Sequence, residues 1–264
     1  MKLGIAGAAG RMGGALIRAA IDGGFEIAAA CEQPGNTALG RDAGQWIGIE
    51  ALGIVIGDDP KAMVAASDVV LDFTTPSASV PLAQLTARAG KALVLGTTGF
   101  AAADDAAIKD AAMLAPIVRS GNFSLGVNVL INLVARAARA LPQFDIEIIE
   151  AHHRHKIDAP SGTALMLGDA AAAARDQSLK SIAASERRGH TGPRQAGSIG
   201  FQSLRGGTIV GEHIVVMAGD GERIELGHVA EDRAIFAKGA IAAAHWVLGR
   251  SPGLYSVADV LGLN

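Results

Sequence analysis

The sequence is poor in several things, and each shortage excludes something. Cysteine occurs once, as Cys31, so no internal disulfide can form and a reducing compartment suits the chain. Aromatic residues make up 4% of the chain against 50% hydrophobic residues, with Ala and Gly abundant. That balance fits Ala-rich helices packed closely on a sheet. Positive charge is not in excess: 23 Lys and Arg face 26 Asp and Glu, a net −3, which argues against general nucleic-acid affinity. Long apolar runs are missing too. The most apolar stretch, Val127 to Ala135, is too short to span a bilayer and contains Asn128 and Asn132. No signal peptide is visible, because Met1-Lys2-Leu3 leads straight into an apolar strand. The expectation is a soluble, cytoplasmic protein without membrane or nucleic-acid partners. Its 264 residues suffice for a sizeable core in one or two domains.

What is present begins with a glycine-marked turn. Leu3 to Gly7 reads as a strand and Ala15 to Ile21 as a helix, with Gly7-Ala8-Ala9-Gly10-Arg11-Met12-Gly13 between them. Strand, glycine turn and helix in that order are what a dinucleotide-binding βαβ unit requires. Gly7 would turn tightly, Gly10 would admit a pyrophosphate, and Gly13 would let helix and strand touch. Ala9 replaces the second glycine of the usual fingerprint. A second strand, Glu26 to Cys31, ends at Glu32, an acid placed to accept ribose hydroxyls. Gln33 follows where a cation would be wanted for a 2′-phosphate. That favours NADH, although Arg11 is a cation that could serve NADPH.

Further strands share one grammar. Val69 to Leu71 runs into Asp72-Phe-Thr74, Ala92 to Leu95 into Gly96-Thr97-Thr98-Gly99, and Pro116 to Arg119 into Ser120-Gly121-Asn122-Phe123. Helical patterns at Val80 to Ala89 and Asp104 to Ala112 separate them. Strands alternating with helices predict a parallel sheet whose polar tails emerge on one edge, where ligands bind. Gly35 to Gly57 carries little pattern beyond a strand near Gly53 to Ile56. Trp46 and Trp246 carry no functional signal of their own.

The richest stretch is Glu150 to Ala164. A β-branched strand, Phe144 to Ile149, precedes it, and an Ala/Leu helix from Ala164 to about Arg175 follows. Between them, His152, His153, Arg154, His155 and Lys156 place five potential cations in consecutive positions. Asp158 or Ser161 can cap the helix, and Pro160 fits a first turn. The first N–H groups, at Gly162 and Thr163, lack acceptors within the helix and suit an anion. The pattern describes a pocket for a small acidic molecule with titratable donors beside it; the alternative is a solvated loop. Adjacent His residues on an extended chain point to opposite faces, zinc-protease spacing is missing and no Cys is near, so no metal is expected.

A long helix, Leu125 to Leu141, leads out of the first domain. Glu186 to Gly197 reads as a mobile basic loop that either closes over an anionic ligand or is plain surface. Ser198 to Leu204, Gly207 to Ala218 and Arg223 to Val229 read as strands of a second sheet. His190 falls in the basic loop, while His213, His228 and His245, each alone in a strand or helix, read as packing or surface residues. Asp232 to Leu248 is a last helix that can return to the first domain, followed by a short tail. The architecture is α/β: a Rossmann-like parallel-sheet domain over 1–123 and 234–264, and a smaller α+β domain with an open mixed sheet over 124–233.

The motif Glu150-x-His152-His153-x-x-Lys156-x-Asp158-Ala-Pro-Ser-Gly-Thr-Ala164 resembles the signature of the 4-hydroxy-tetrahydrodipicolinate reductases, also called dihydrodipicolinate reductases. Gly7 to Gly13, Asp72-Phe-Thr74, Gly96 to Gly99 and Asn122-Phe123 match in order and spacing, over essentially the whole chain. The resemblance implies NAD(P)H-dependent reduction of a cyclic dicarboxylic imine in lysine biosynthesis. It implies His152 as catalytic acid/base and Lys156 as proton donor. His153, Gly162 and Thr163 would hold substrate carboxylates. Gly7, Ala8, Ala9, Gly10, Arg11, Met12, Glu32, Gly96, Thr97, Thr98, Ser120, Gly121, Asn122 and Phe123 would hold the cofactor. A homotetramer is implied as well, with the 124–233 domain serving both substrate binding and assembly. Two rivals remain open: another NAD-dependent enzyme, such as an amino-acid dehydrogenase, and a non-catalytic nicotinamide sensor.

Overall fold

The structure, a computed structural model, describes residues 1–184 and 187–263. In chain order it runs β1 Lys2–Ala6, α1 Arg11–Asp22, β2 Glu26–Cys31, α2 Ala43–Trp46, β3 Ile56–Gly57, α3 Pro60–Ala66, β4 Val69–Asp72, α4 Pro76–Arg88, β5 Ala92–Leu95, α5 Ala102–Ala112 and β6 Pro116–Arg119. Then come α6 Leu125–Ala140, β7 Asp145–His152, α7 Gly162–Ala173, α8 Leu179–Ile182, β8 Ala183–Ala184, β9 Ile199–Arg205, β10 Gly211–Gly219 and β11 Glu222–Ala230. The chain ends with α9 Ala234–Val247, β12 Gly253–Tyr255 and α10 Val257–Val260. It divides into two compact units, Met1–Ser124 with Ala234–Asn264, and Leu125–Arg233.

The first unit holds a seven-stranded sheet in the order β12-β6-β5-β4-β1-β2-β3. Every pairing in it is parallel. Both β4 and β5 are buried along their whole length, which is why they read as unbroken apolar runs. Parallel order puts the carboxyl ends of β1, β4, β5 and β6 on one edge. Local sequence sets the helix starts: Asp59 accepts from the Lys61 and Ala62 N–H groups, with Pro60 in the first turn of α3. The Asp42 carboxylate gathers the N–H groups of Gly44, Gln45, Leu52, Gly53 and Ile54, folding the unpatterned 42–54 segment around itself. The expected C-terminal tail contains β12, which pairs with β6; three residues are too few to show alternation.

The second unit holds a five-stranded mixed sheet, β11-β10-β7-β9-β8. The β11, β10 and β7 pairings are antiparallel, and β7, β9 and β8 are parallel. Side chains alternate along a strand, so residues in register share a face. One face carries Ile146 and Ile148 of β7, Met217 and Val215 of β10, and Ile199 and Phe201 of β9, all buried with Leu130 and Val134 of α6 and Leu167 of α7. Continued by the same period of two, that face turns polar: Glu150 and His152 of β7, His213 of β10, Ser203 and Arg205 of β9, and His228 of β11. The strand thus runs three residues beyond the expected Ile149 and carries His152 itself. Helix α7 begins at Gly162 with Ser161 as its cap. Pro160 therefore precedes the cap and is not in the first turn, and Asp158 does not cap. Strand β10 begins at Gly211, because Gly207 and Thr208 form a turn.

Candidate active site

In the first unit, the glycine turn closes β1 onto α1. Gly7 adopts φ +66°, a left-handed conformation that suits glycine. A Cβ at Gly13 would stand 2.2 Å from the Gly7 carbonyl oxygen and 2.7 Å from the Ala8 Cα, so only glycine permits this approach. Gly10 precedes Arg11 and Met12 of α1, and no side chain caps the helix there. A helix N-terminus of this kind suits an anion. Glu32, at the end of β2, accepts from the Ala9 N–H at 3.1 Å and the Gln33 N–H at 2.9 Å. A carboxylate has about four acceptor positions, so capacity remains for ribose hydroxyls. Trp46 donates its indole N–H to the Ala9 carbonyl at 3.2 Å and so supports the turn from α2, a role with no signal in the sequence.

A cavity of about 660 Å³ opens beside this turn, lined by Gly7, Gly10, Glu32, Gln33, Lys61, Thr74 and Thr75 among others. The glycine approach and the carboxylate at the strand end fit a pyridine dinucleotide. The tails of β5 and β6 are braced from within. A Cβ at Gly96 would lie 2.0 Å from the Phe73 ring, which packs 5.1 Å from the Phe123 ring. Buried Thr97 accepts from the Ser79 hydroxyl at 2.8 Å, while Thr98 is exposed. Ser120 and Asn122 bond each other through side chain and backbone, in the turn that contains Gly121. Asp72 is fully buried, and burial pushes its carboxyl up despite hydrogen bonds from Thr74.

In the second unit, Glu150 is the hub. It is 1% exposed. Arg205 grips it in a fork, Nη2 to Oε1 at 2.7 Å and Nη1 to Oε2 at 2.8 Å. The Ser161 N–H donates to Oε1 at 3.2 Å, and Oε2 lies 2.6 Å from His152 Nδ1. Burial alone would raise this carboxyl; hydrogen bonds from Arg205, Ser203 and His152 outweigh it and bring it down to about 2. The carboxylate is therefore charged and can only accept. His152 Nδ1 must carry a proton, which leaves Nε2 as the nitrogen not tied to that carboxylate.

Lys156 donates to both oxygens of Asp158, at 2.8 and 3.0 Å. Its charge lowers the Asp158 carboxyl by that contact first. His153 is held below the ordinary imidazole range, by desolvation first and then by Arg233, His155, His152 and Lys156. The predicted residues His152, His153 and Lys156 thus share one field, and Arg233 joins them from the end of the unit. The Ser161 hydroxyl accepts the Ala164 N–H at 3.1 Å. His213, expected to be packing or surface, is buried here: its Nε2 lies 2.9 Å from Ser161 Oγ and its ring 5.1 Å from that of His152. Glu150, Arg205, His213 and Arg233 were the residues that the sequence did not single out for roles.

In the basic loop, Glu186 lies outside the described residues. Arg187 meets Glu147 at 2.7 Å, and Arg194 meets Asp145 and Glu147 at 2.8 and 3.0 Å. Those two cations are engaged with β7. Among the described residues, no group of three or more His, Cys, Asp or Glu is arranged to hold a metal ion. Nor is any helix among them long and apolar enough to cross a membrane.

Two family models match the chain: dihydrodipicolinate reductase, N-terminus, over residues 1–123, and dihydrodipicolinate reductase, C-terminus, over residues 126–261. A 4-hydroxy-tetrahydrodipicolinate reductase of Brucella abortus (strain 2308) is 55% identical over all of both chains. One from Chelativorans sp. (strain BNC1) is 56% identical over all of this chain and 96% of its own. Among solved structures, a dipicolinate-bound dihydrodipicolinate reductase from Paenisporosarcina sp. TG-14 has the same fold, with TM-score 0.77 at 22% identity over 98% of each chain.

Proposed function

The chain belongs to the dihydrodipicolinate reductase family, as a pyridine-nucleotide-dependent reductase of 4-hydroxy-tetrahydrodipicolinate in lysine biosynthesis, and from that premise we propose how its residues divide the work. The observation that carries the assignment is the 2.6 Å contact of Glu150 with His152 Nδ1, which turns Nε2 into the free nitrogen. His152 then serves as the acid/base, and Lys156 as proton donor and point charge, released from Asp158 when a more anionic partner arrives. His153 and the Gly162 and Thr163 N–H groups hold the substrate carboxylates, with the α7 terminus favouring negative charge.

A bound dinucleotide would supply a hydride to C4 of the dehydrated ring. Lys156 would face the electron density that gathers toward the imine nitrogen, and its proton would pass to the carbon next to C4. The first unit holds the dinucleotide: the Gly7 to Met12 turn at the pyrophosphate, Glu32 at the ribose, and the Gly96 to Thr98 and Ser120 to Phe123 tails at the nicotinamide half. NADH is the preferred cofactor, because Glu32 is followed by the uncharged Gln33. Lys61 in the same cavity is the cation through which NADPH would be used. The outer face of the second sheet carries Leu204, Ile214 and Val229, all exposed, which supports a homotetramer built on that face.

The test is steady-state kinetics with enzymatically generated substrate. His152→Gln and Lys156→Ala are expected to lower kcat by about 10²-fold or more, with the Kd for NADH unchanged. Near-normal turnover in either would remove that residue from the chemistry. A kcat/KM for NADPH above that for NADH would reverse the cofactor assignment.

A further inference from the structure

We propose that His213 is a positioning residue for the reduction: its imidazole hydrogen-bonds the Ser161 hydroxyl and so locks the start of α7, where a substrate carboxylate sits, to the strand layer that carries His152. The inference rests on the reading of the α7 terminus as the carboxylate site.

His213 is 4% exposed and lies in register with Glu150 on the neighbouring strand. Its Nε2 stands 2.9 Å from Ser161 Oγ. That hydroxyl also accepts the Ala164 N–H at 3.1 Å, and with one proton and a second lone pair it can donate to Nε2 or accept from it. Nδ1 is buried and has no hydrogen-bond partner among the described residues. A buried ring nitrogen left unpaired is costly, and its retention needs a reason.

The surroundings supply one. The groups that act on His213 are His152, Glu150, His228 and Lys156, with Arg205 beyond Glu150. Burial first, then His152, hold the imidazole down to about 4, so it stays neutral near neutral pH. A neutral ring keeps this one hydrogen bond to Ser161. The Ser161 backbone N–H is held by Glu150, the register partner of His213. One residue, the cap of α7, is therefore fixed at both its N–H and its hydroxyl by two adjacent strands. His213 also presents its ring to His152 at 5.1 Å and 74°, an edge contact that limits rotation of the imidazole.

The experiment compares wild type, His213→Leu, His213→Gln, Ser161→Ala and the Ser161→Ala/His213→Leu double variant. Substrate KM, kcat, the Kd for dipicolinate, the Kd for NADH and Tm are measured for each. His213→Leu is expected to raise KM and the dipicolinate Kd about tenfold, the scale of one lost hydrogen bond, with a smaller effect on kcat and none on NADH. His213→Gln, which offers an amide oxygen to Ser161, is expected to restore most of the loss. Ser161→Ala should match His213→Leu, and the double variant should lose no more than either. If His213→Leu does not fold, the Gln variant and Ser161→Ala carry the comparison: Gln near wild type beside an impaired Ser161→Ala supports the proposal. An unchanged dipicolinate Kd in His213→Leu overturns it, as do fully additive losses. His152→Gln is the control for the underlying site. If it is impaired while the His213 and Ser161 variants are normal, this inference alone falls; if it is normal too, both fall.

Discussion

The Gly211 Cα faces the His152 imidazole so closely that a Cβ there would stand 3.1 Å from Nε2 and 3.4 Å from Cδ2. This is the nitrogen left free once Nδ1 is tied to Glu150. The ring would have to give by a few tenths of an ångström, away from the position its carboxylate partner sets. Gly211→Ala is therefore expected to lower kcat by about tenfold, in keeping with the sensitivity of reacting groups to small misplacements. Tm and NADH affinity should hardly move. A Gly211→Ala enzyme with wild-type kcat would mean that Nε2 is not the working atom.

Glu150→Gln tests the hub from the other side. The amide could donate to His152 Nδ1 and favour the wrong tautomer, and it would leave Arg205 without its charged partner. Breaking a buried pair from one side costs about 3–5 kcal/mol. Kcat should fall by about 10²-fold or more as the proposed acid/base, His152, loses its orientation. Urea midpoints and kcat together check this. A stable variant with normal kcat would deny Glu150 the role of setting the tautomer.

Much of this arrangement is legible in the chain, and the part that is not has a physical reason. Strands β4 and β5 are visible because a fully buried parallel strand is an unbroken apolar run. The Glu150 to Ala164 motif is visible because cations, cap and helix start are contiguous. His213 and Arg205 are separated from Glu150 by some fifty residues or more and sit in strands, where alternation hides which face they take. Only the register with β7 brings them to Glu150. Trp46 escapes notice because its helix has four residues and its partner is a backbone carbonyl. The loop that carries Arg187 and Arg194 reads equally as a closure over an anion or as plain surface until Asp145 and Glu147 prove to be the partners of these two cations.

Acid should weaken the second unit in two stages. His213 has its folded value lowered from 6.5 to about 4, so the unfolded chain binds the extra proton first. Its contribution is present above pH 6.5 and is lost as pH falls toward 4, about 3 kcal/mol in all. Glu150, lowered from 4.5 to about 2, adds a second loss below pH 4.5. Urea midpoints at pH 7, 5.5 and 4.5 should decline in wild type. They should decline less in His213→Gln, which has no imidazole to protonate. Parallel declines in the two proteins would place the acid sensitivity elsewhere.

The glycine turn invites a comparison between neighbours. At Gly13 a Cβ meets backbone, 2.2 Å from the Gly7 carbonyl oxygen, and nothing nearby can rotate away. At Gly14 it meets the Ile47 side chain, whose Cγ2 at 3.1 Å can shift. Gly13→Ala must therefore push α1 off β1 and open the turn proposed to receive the pyrophosphate, whereas Gly14→Ala asks only for a small repacking. The Kd for NADH, followed by fluorescence, should rise at least about tenfold in Gly13→Ala, a loss of roughly 1.4 kcal/mol or more. In Gly14→Ala it should rise by less than about threefold. Equal losses in the two variants would show that the helix start, and not the close approach of Gly13 to Gly7, governs how the dinucleotide is held.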